Sequence, residues 1–308
     1  MAFLALDLGG SHATCALLEP GSVIASGHIA LPWTELLVPV LPQITAAISR
    51  LIETTSVRPE GLGVGFCGLV DAGSNRVAST NGKFEDALEF DFEGWSRSAF
   101  GLPLRLENDA RLALRGEMNA GAGQGFSDVV MFTLGTGIGG VAAMDGRPLK
   151  GIHGQAGVLA GHVPVRSGGR RCTCGGHGCA ESEASGWALP ALCREWPGFE
   201  FSALARGELN FRSLFAAAAE GDRVALGVRD HCLEIWGMMT VAAVHAFDPE
   251  LVIFGGGAMG AAAQILPSIR EYVGANAWTP WGKVRVEKAA LGNMAGVLGV
   301  PNLFGKER

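Results

Sequence analysis

No excess of basic residues marks this chain. Its 308 residues carry 24 Lys and Arg against 30 Asp and Glu, a formal net charge of −6, so no positive field is available to hold nucleic acid or an anionic membrane surface. No run is apolar enough for a membrane span either. The most apolar stretch, residues 232–247, contains Glu234 and His245 and is shorter than the roughly 20 residues a spanning helix needs. The opening residues lack the basic start, long apolar core and small-residue cleavage site of a secretory signal, and Phe3 to Leu6 reads as a first strand. Low complexity is absent: 48% hydrophobic and 18% charged residues describe an ordinary globular protein. Cysteines are few, seven in all. The odd number, with three crowded between 172 and 179, suits a metal site in a reducing compartment better than a disulfide framework, which places the protein in the cytoplasm.

What is present is length for two α/β lobes of about 150 residues each. Three strand-like runs, 3–6, 13–18 and 23–29, are separated by glycine-rich turns and predict an antiparallel meander. Apolar residues at Leu37, Leu41, Ile44, Ile48, Leu51 and Ile52 predict a helix with Pro39 and Pro42 at or before its first turn. A strand at 62–67, a loop up to Asn81, a short strand at 104–107 and a helix opening at Asn108 follow. From Val129 the order of strand, glycine turn and strand restarts, with a turn at Asp145-Gly146. Helices are expected near 182–196, 222–247 and 258–274, strands at 251–254 and 284–286, and a last helix from Asn293. The lobes are drawn as 1–112, joined by a returning C-terminal helix over 292–308, and 113–291, with a metal loop over 162–181.

Asp7-Leu-Gly-Gly-Ser11 follows the first strand directly. Gly9 and Gly10 let the backbone approach an anion, and Asp7 can hold a hydrated Mg²⁺; a tight hairpin with a solvated aspartate explains the same residues equally well. A second such turn, with Gly135, Thr136 and Gly137, lies in Leu134-Gly-Thr-Gly-Ile-Gly-Gly140, and a third, with Gly256 and Gly257, in Phe254-Gly-Gly-Gly-Ala-Met-Gly260. The last fits G-x-G-x-x-G literally but has no βαβ unit after it, which argues against a dinucleotide fingerprint. In Glu107-Asn-Asp-Ala110, Asp109 reads either as a first-turn helix carboxylate or as a base for a hydroxyl attacking a phosphate, with Asn108 as N-cap or as its aide. His162 with Cys172, Cys174 and Cys179 forms one imidazole and three thiolates, the closed set of a structural Zn²⁺. Cys15, Cys67, Cys193 and Cys232 read as core residues, and His177 as a turn residue.

Taken in order, Asp7-Leu-Gly-Gly, Glu107-Asn-Asp-Ala, the 134–140 turn, Gly161-His162, Cys-x-Cys-Gly-x-x-Gly-Cys-x-Glu181, the 254–257 turn and the closing Leu291-Gly-Asn-Met-Ala-Gly-Val-Leu-Gly299 resemble the ROK family of repressors, open reading frames and kinases. The resemblance runs from residue 3 to about 304. It implies a two-lobed actin-like ATPase fold of the hexokinase, ribonuclease H-like type, with ATP between the lobes. It also implies phosphorylation of a hexose or N-acetylhexosamine (EC 2.7.1.-) and a homodimer or homotetramer. Carried over by position, Asp109 is the catalytic base. Gly68, Asn81, Asn108, His162 and Glu181 meet the sugar, and Asp7, Gly9, Gly10, Ser11, Gly135, Thr136, Gly137, Gly256 and Gly257 meet Mg²⁺-ATP. The alternative is a sugar sensor of the same fold without turnover. Its DNA-binding form is not expected, because only six residues precede Asp7. Kinases of the family usually carry Ala-Gly-Glu-x-Gly-His; here Ala156-Gly-Val-Leu-Ala-Gly-His162 is one residue longer and lacks the acid, which implies weak glucose binding and poor discrimination at the anomeric end unless Gln155 or His153 compensates or Val158 and Leu159 face a less polar substituent of an unusual sugar. The first turn ends in His12 where the family often has lysine.

Overall fold

The computed structural model describes residues 1–9, 12–19, 21–31, 35–80 and 82–305. They form two compact units, Met1–Gly125 with Lys150–Ala156 and Ala290–Arg308, and Phe126–Leu149 with Gly157–Ala289. The boundary drawn after residue 112 falls inside a helix of the first unit, Asp109–Ala120, and the chain changes unit between Gly125 and Phe126.

In the first unit, β1 (Phe3–Leu8), β2 (His12–Glu19) and β3 (Ser22–Ala30) make the antiparallel meander. β4 (Leu62–Phe66) then pairs parallel with β1. A hairpin of β5 (Leu69–Asp71) and β6 (Arg76–Ser79) occupies the stretch expected to be loop. β7 (Leu104–Asn108) pairs parallel with β4, giving the sheet order β3-β2-β1-β4-β7. Alternation along β1 separates two faces: Leu4, Leu6 and Leu8 share a core with Ile44 and Ile48 of α1 (Leu41–Thr54), whereas Phe3 and Ala5 pack with Leu112, Val297 and Val300. α2 (Phe92–Phe100), which the sequence reading passed over, starts on an Asp91 cap and stops at Gly101 with φ 71°. α3 (Asp109–Ala120) is capped by Asn108, whose Oδ1 accepts the Arg111 N–H at 3.1 Å.

The second unit repeats the strand plan. β8 (Val129–Leu134), β9 (Ile138–Met144) and β10 (Arg147–Pro148) are antiparallel, β11 (Leu251–Gly255) and β12 (Arg285–Lys288) add in parallel, and the order is β10-β9-β8-β11-β12. The turn between β9 and β10 has Asp145 and Gly146 both at positive φ, 50° and 74°, the geometry a two-residue hairpin turn demands. The helix expected over 182–196 is two, α4 (Ala180–Ala184) and α5 (Leu189–Glu195). Between them the N–H groups of Gly186 and Trp187 donate to the carbonyls of Gly135 and Thr136, each at 2.9 Å, instead of continuing the helix. α6 (Phe211–Ala219), also unforeseen, and α7 (Arg223–Phe247) enclose the fully buried Trp236, whose ring centroid lies 5.4 Å from Phe211. α8 (Ala262–Asn276) follows. Among the described residues no helix is long and apolar enough to cross a membrane.

The chain then returns to the first unit as α9 (Ala295–Gly299). A Cβ on Gly116 would overlap the Ala295 carbonyl, and one on Gly299 the Leu112 carbonyl. The missing side chains are what let α9 lie directly on α3, and that contact brings Gly296 against the end of β1.

Candidate active site and metal centre

Strand register assembles the first half of the site. Asp7 pairs with Gly65, and Gly65 with Glu107, two residues before the start of α3. A Cβ on Gly65 would come within 3.2 Å of Asp7 Oδ1 and 3.5 Å of the Asp109 Cα, and a Cβ on Gly296 would sit 2.5 Å from Asp7 Oδ2. Both glycines leave room for the Asp7 carboxylate, and Gly65 also lies against the backbone of Asp109. Asp109 Oδ1 accepts the Ala110 N–H at 2.8 Å and Asn108 Nδ2 at 3.1 Å. The same amide donates to the Gly68 carbonyl at 3.0 Å, and Gly68 has no space for a Cβ beside the Ser79 carbonyl oxygen, 2.6 Å away. Gly68, Asn108, Asp109 and Asp7 thus meet at one end of the sheet. Gly9 closes the first turn by donating its N–H to the His12 carbonyl at 3.0 Å. Gly10, Ser11 and Asn81 lie outside the described residues.

Burial raises both carboxylates. Desolvation and, second, the Asp109 charge lift Asp7 to about 7; desolvation, opposed by the hydrogen bonds from Ala110 and Asn108, lifts Asp109 to about 6. Two neighbours escaped the sequence reading. The Cys67 thiol, read as core, is pushed up to about 12 by burial and then by Asp109, so it stays neutral beside the acids. Lys83 is buried, its ammonium 3.4 Å from the Gly9 carbonyl and 4.6 Å from the Phe84 ring centroid; a lone lysine in a glycine-containing turn was the available signal. His12, at the start of β2, has its pKa lowered by burial and then by His28, its ring neighbour at 4.9 Å, and Lys83.

In the second unit the turn from β8 to β9 carries Gly135, Thr136 and Gly137, with the Gly135 N–H on the Gly137 carbonyl at 3.0 Å. Glu181 lies against this turn: its Oε2 accepts the Ile138 N–H at 2.8 Å, its Oε1 lies 3.3 Å from Trp187 Nε1 and 3.5 Å from Thr173 Oγ1. A Cβ on Gly137 would come within 2.7 Å of that carboxylate. Gly256, at φ 88°, brings the turn after β11 onto the backbone of Leu134, so the second and third glycine turns are neighbours. Around Gly135 and Gly257 a Cβ would find open space, so neither turn is covered by side chains at those positions.

The candidate metal ligands lie in the same unit. Gly161 has no room for a Cβ against the Ile138 carbonyl, which seats the turn Ala160–His162 on β9. The ligand atoms of His162, Cys172, Cys174 and Cys179 all fall within 4.8 Å of one another, with Cys172 Sγ 3.4 Å from His162 Nδ1 and Cys174 Sγ 3.7 Å from Cys179 Sγ. A tetrahedral zinc with bonds of about 2.3 Å to sulfur and 2.0 Å to nitrogen separates its donors by about 3.6 to 3.8 Å. The four residues therefore fit the ion. His177 is bridged to Arg171 and is not one of the donors. The fully buried Glu183 anchors the loop by accepting the Arg170 N–H at 2.6 Å.

The duplicated five-stranded sheets with their glycine turns define an actin-like ATPase fold of the sugar-kinase type. The chain matches the ROK family over residues 3–307 and belongs to it. It is 33% identical over 273 residues to a glucokinase of Thermotoga maritima, covering 85% of each chain. Among solved structures it superposes on a ROK hexokinase from Thermus thermophilus with a TM-score of 0.80 at 29% identity, covering 98% of this chain and 97% of that one. A ROK glucokinase from Streptomyces griseus in complex with glucose and AMPPNP gives 0.79 at 28%, covering 98% and 99%.

The raised carboxylates make a stability prediction. A group whose folded pKa lies above its unfolded value contributes stability that is complete below the unfolded value, near 3.8, and lost as pH rises through the folded one, here about 7 for Asp7. Asp7→Asn should therefore unfold at a higher temperature than the parent at pH 8, and the gap should close by pH 4. Thermal melts of the nucleotide-free protein at the two pH values check this; a variant less stable than the parent at pH 8 contradicts it.

Proposed function

We propose that this chain is an ATP-dependent sugar kinase that transfers the γ-phosphoryl group of ATP to a hydroxyl of a hexose or N-acetylhexosamine, with Asp109 as the general base. The observation that carries the reading is the half-buried Asp109 carboxylate, held by Asn108 and the Ala110 N–H and raised to about 6. A base with that value is ionised at neutral pH and still basic enough to take a proton in the transition state. The sugar hydroxyl gives its proton to Asp109 Oδ as its oxygen bonds to the γ-phosphorus, and the bond from that phosphorus to the bridging oxygen breaks, ADP leaving with the electron pair. Little of this chemistry is covalent catalysis by the protein, and positioning with charge stabilisation carries the rest.

Asp7 is the residue to hold a hydrated Mg²⁺, which when bound neutralises phosphate charge. Its own raised pKa would fall once a cation faced it. Gly9, Gly10, Ser11, Gly135, Thr136 and Gly137 are assigned to the phosphates and Gly256 and Gly257 to the nucleoside. Gly68, Asn81, Asn108, His162 and Glu181 are assigned to the sugar. Glu181 already accepts bonds from the 135–138 turn, and a carboxylate has lone pairs left for a ring hydroxyl, so it ties sugar recognition to the phosphate turn. His162, Cys172, Cys174 and Cys179 would hold zinc, a structural ion that keeps residues 162–181 ordered. A cytoplasmic homodimer or homotetramer, without nucleic-acid or membrane partners, completes the proposal.

Two measurements test it. Asp109→Asn should keep the fold and bind sugar while kcat falls by roughly 10²- to 10⁴-fold, and in the parent kcat should drop as pH is lowered through about 6. A variant retaining a tenth of kcat would remove Asp109 from its role, that loss being only about 1.4 kcal/mol of barrier. Freshly purified protein should contain one zinc per chain by elemental analysis. Cys174→Ala should lose it and become sensitive to proteolysis within 162–181 before the whole fold melts. Zinc-free protein with an equally protected loop would contradict the metal assignment.

A further inference from the structure

Two residues after Asp109, helix α3 carries an arginine that is 1% exposed. Its Nη1 lies 3.3 Å from Glu107 Oε1, and its Nη2 donates to the carbonyls of Gly154 at 2.8 Å and Ala156 at 3.3 Å. Glu107, equally buried, accepts the Asn108 N–H on Oε1 at 2.9 Å and has Lys150 Nζ 3.7 Å from Oε2. The bonded segment, Lys150–Ala156, belongs to the first unit although the chain on both sides of it belongs to the second. It closes on itself through the Ala156 N–H to the Lys150 carbonyl at 3.1 Å, and at Gly154, φ 68°, a Cβ would come within 2.8 Å of the Val70 carbonyl oxygen.

Desolvating an arginine and a glutamate is a poor way to gain stability, because apolar packing of the same volume does as well or better. What this pair secures is a place for the loop, which holds two glycines and the 94%-exposed Ile152 and has little apolar surface to bury. The two carbonyls on the guanidinium flank residue 155, so the backbone of the exposed Gln155 is held from both sides by the helix that begins with Asn108 and Asp109. His153 stands outside that pair of bonds. Val158 and the 40%-exposed Leu159, further along, offer a sugar no hydrogen bond. A primary amide both donates and accepts, which suits either a ring hydroxyl or an acetamido group.

We propose that Gln155 is a specificity-determining residue that hydrogen-bonds the sugar, and that Arg111 is the positioning residue that fixes it beside the base-bearing helix. This rests on the sugar-kinase reading above. The probe is whichever of glucose, mannose, fructose, N-acetylglucosamine and N-acetylmannosamine the parent protein uses with the highest kcat/KM. Gln155→Ala, a change on an exposed side chain, should fold normally and raise that sugar's KM and calorimetric Kd about 3- to 10-fold, with KM for ATP within twofold and kcat nearly unchanged. Arg111→Met should raise the sugar KM at least as much, and Arg111→Lys, which keeps the charge but loses the fork, should not restore it. Unchanged sugar KM and Kd in Gln155→Ala, or an equal rise in KM for ATP, overturns the proposal. If Arg111→Met does not fold, the Gln155→Ala result decides alone. A parent protein that binds none of these sugars and transfers no phosphate defeats the kinase reading and this proposal together, whereas an active parent with a silent Gln155→Ala defeats only the proposal.

Discussion

Two carboxylates brought together, half-buried, at the end of one sheet are the constraint around which the first unit is arranged. Asp7 and Asp109 each give up solvent, and the Asp109 charge adds to the cost at Asp7; that cost appears as pKa values of about 7 and 6. The surroundings are what removing side chains can achieve. Gly65 separates the two on β4, and Gly296 on α9 leaves just the space the Asp7 carboxylate fills. α9 itself is seated by the bare backbone contacts at Gly116 and Gly299. Stability forgone at such a site is the cost expected of the catalytic arrangement proposed above.

The second unit solves a different problem with the same strand order. Its sheet places two glycine turns side by side, Gly135–Gly137 and Gly256–Gly257, with open space beside Gly135 and Gly257. Glu181 accepts an N–H from the first of them and lies two residues past Cys179, so the proposed phosphate turn, the acid and the candidate metal ligands are put together over a short stretch of chain. The break between α4 and α5 is part of this: the N–H groups that would have continued the helix bind the turn.

Much of this was legible in the residues because the signals are local. Strand alternation, glycine turns and the His/Cys spacing all lie within a few positions of one another, and the repeated plan of 3–18 and 129–144 appears as two sheets of the same order. The hairpin β5–β6 read as loop because Val70 and Val77 are its only well-buried apolar residues. α2 and α6 escaped a reading that followed the motifs, although Asp91 and Asn210 mark their starts as N-caps. Lys83 beside Gly9, Arg111 beneath Gly154 and Ala156, and the transfer of Lys150–Ala156 to the first unit are long-range facts. Nothing near them in the chain announces them.

The central claim is phosphoryl transfer to a sugar, and phosphorus NMR of the purified protein with Mg²⁺-ATP and each of the five sugars in turn tests it most directly. The account predicts that ADP and a sugar phosphate monoester grow in together, in equal amounts, with at least one of the sugars. ATP that stays intact with every sugar, or ADP accompanied only by inorganic phosphate, would contradict it.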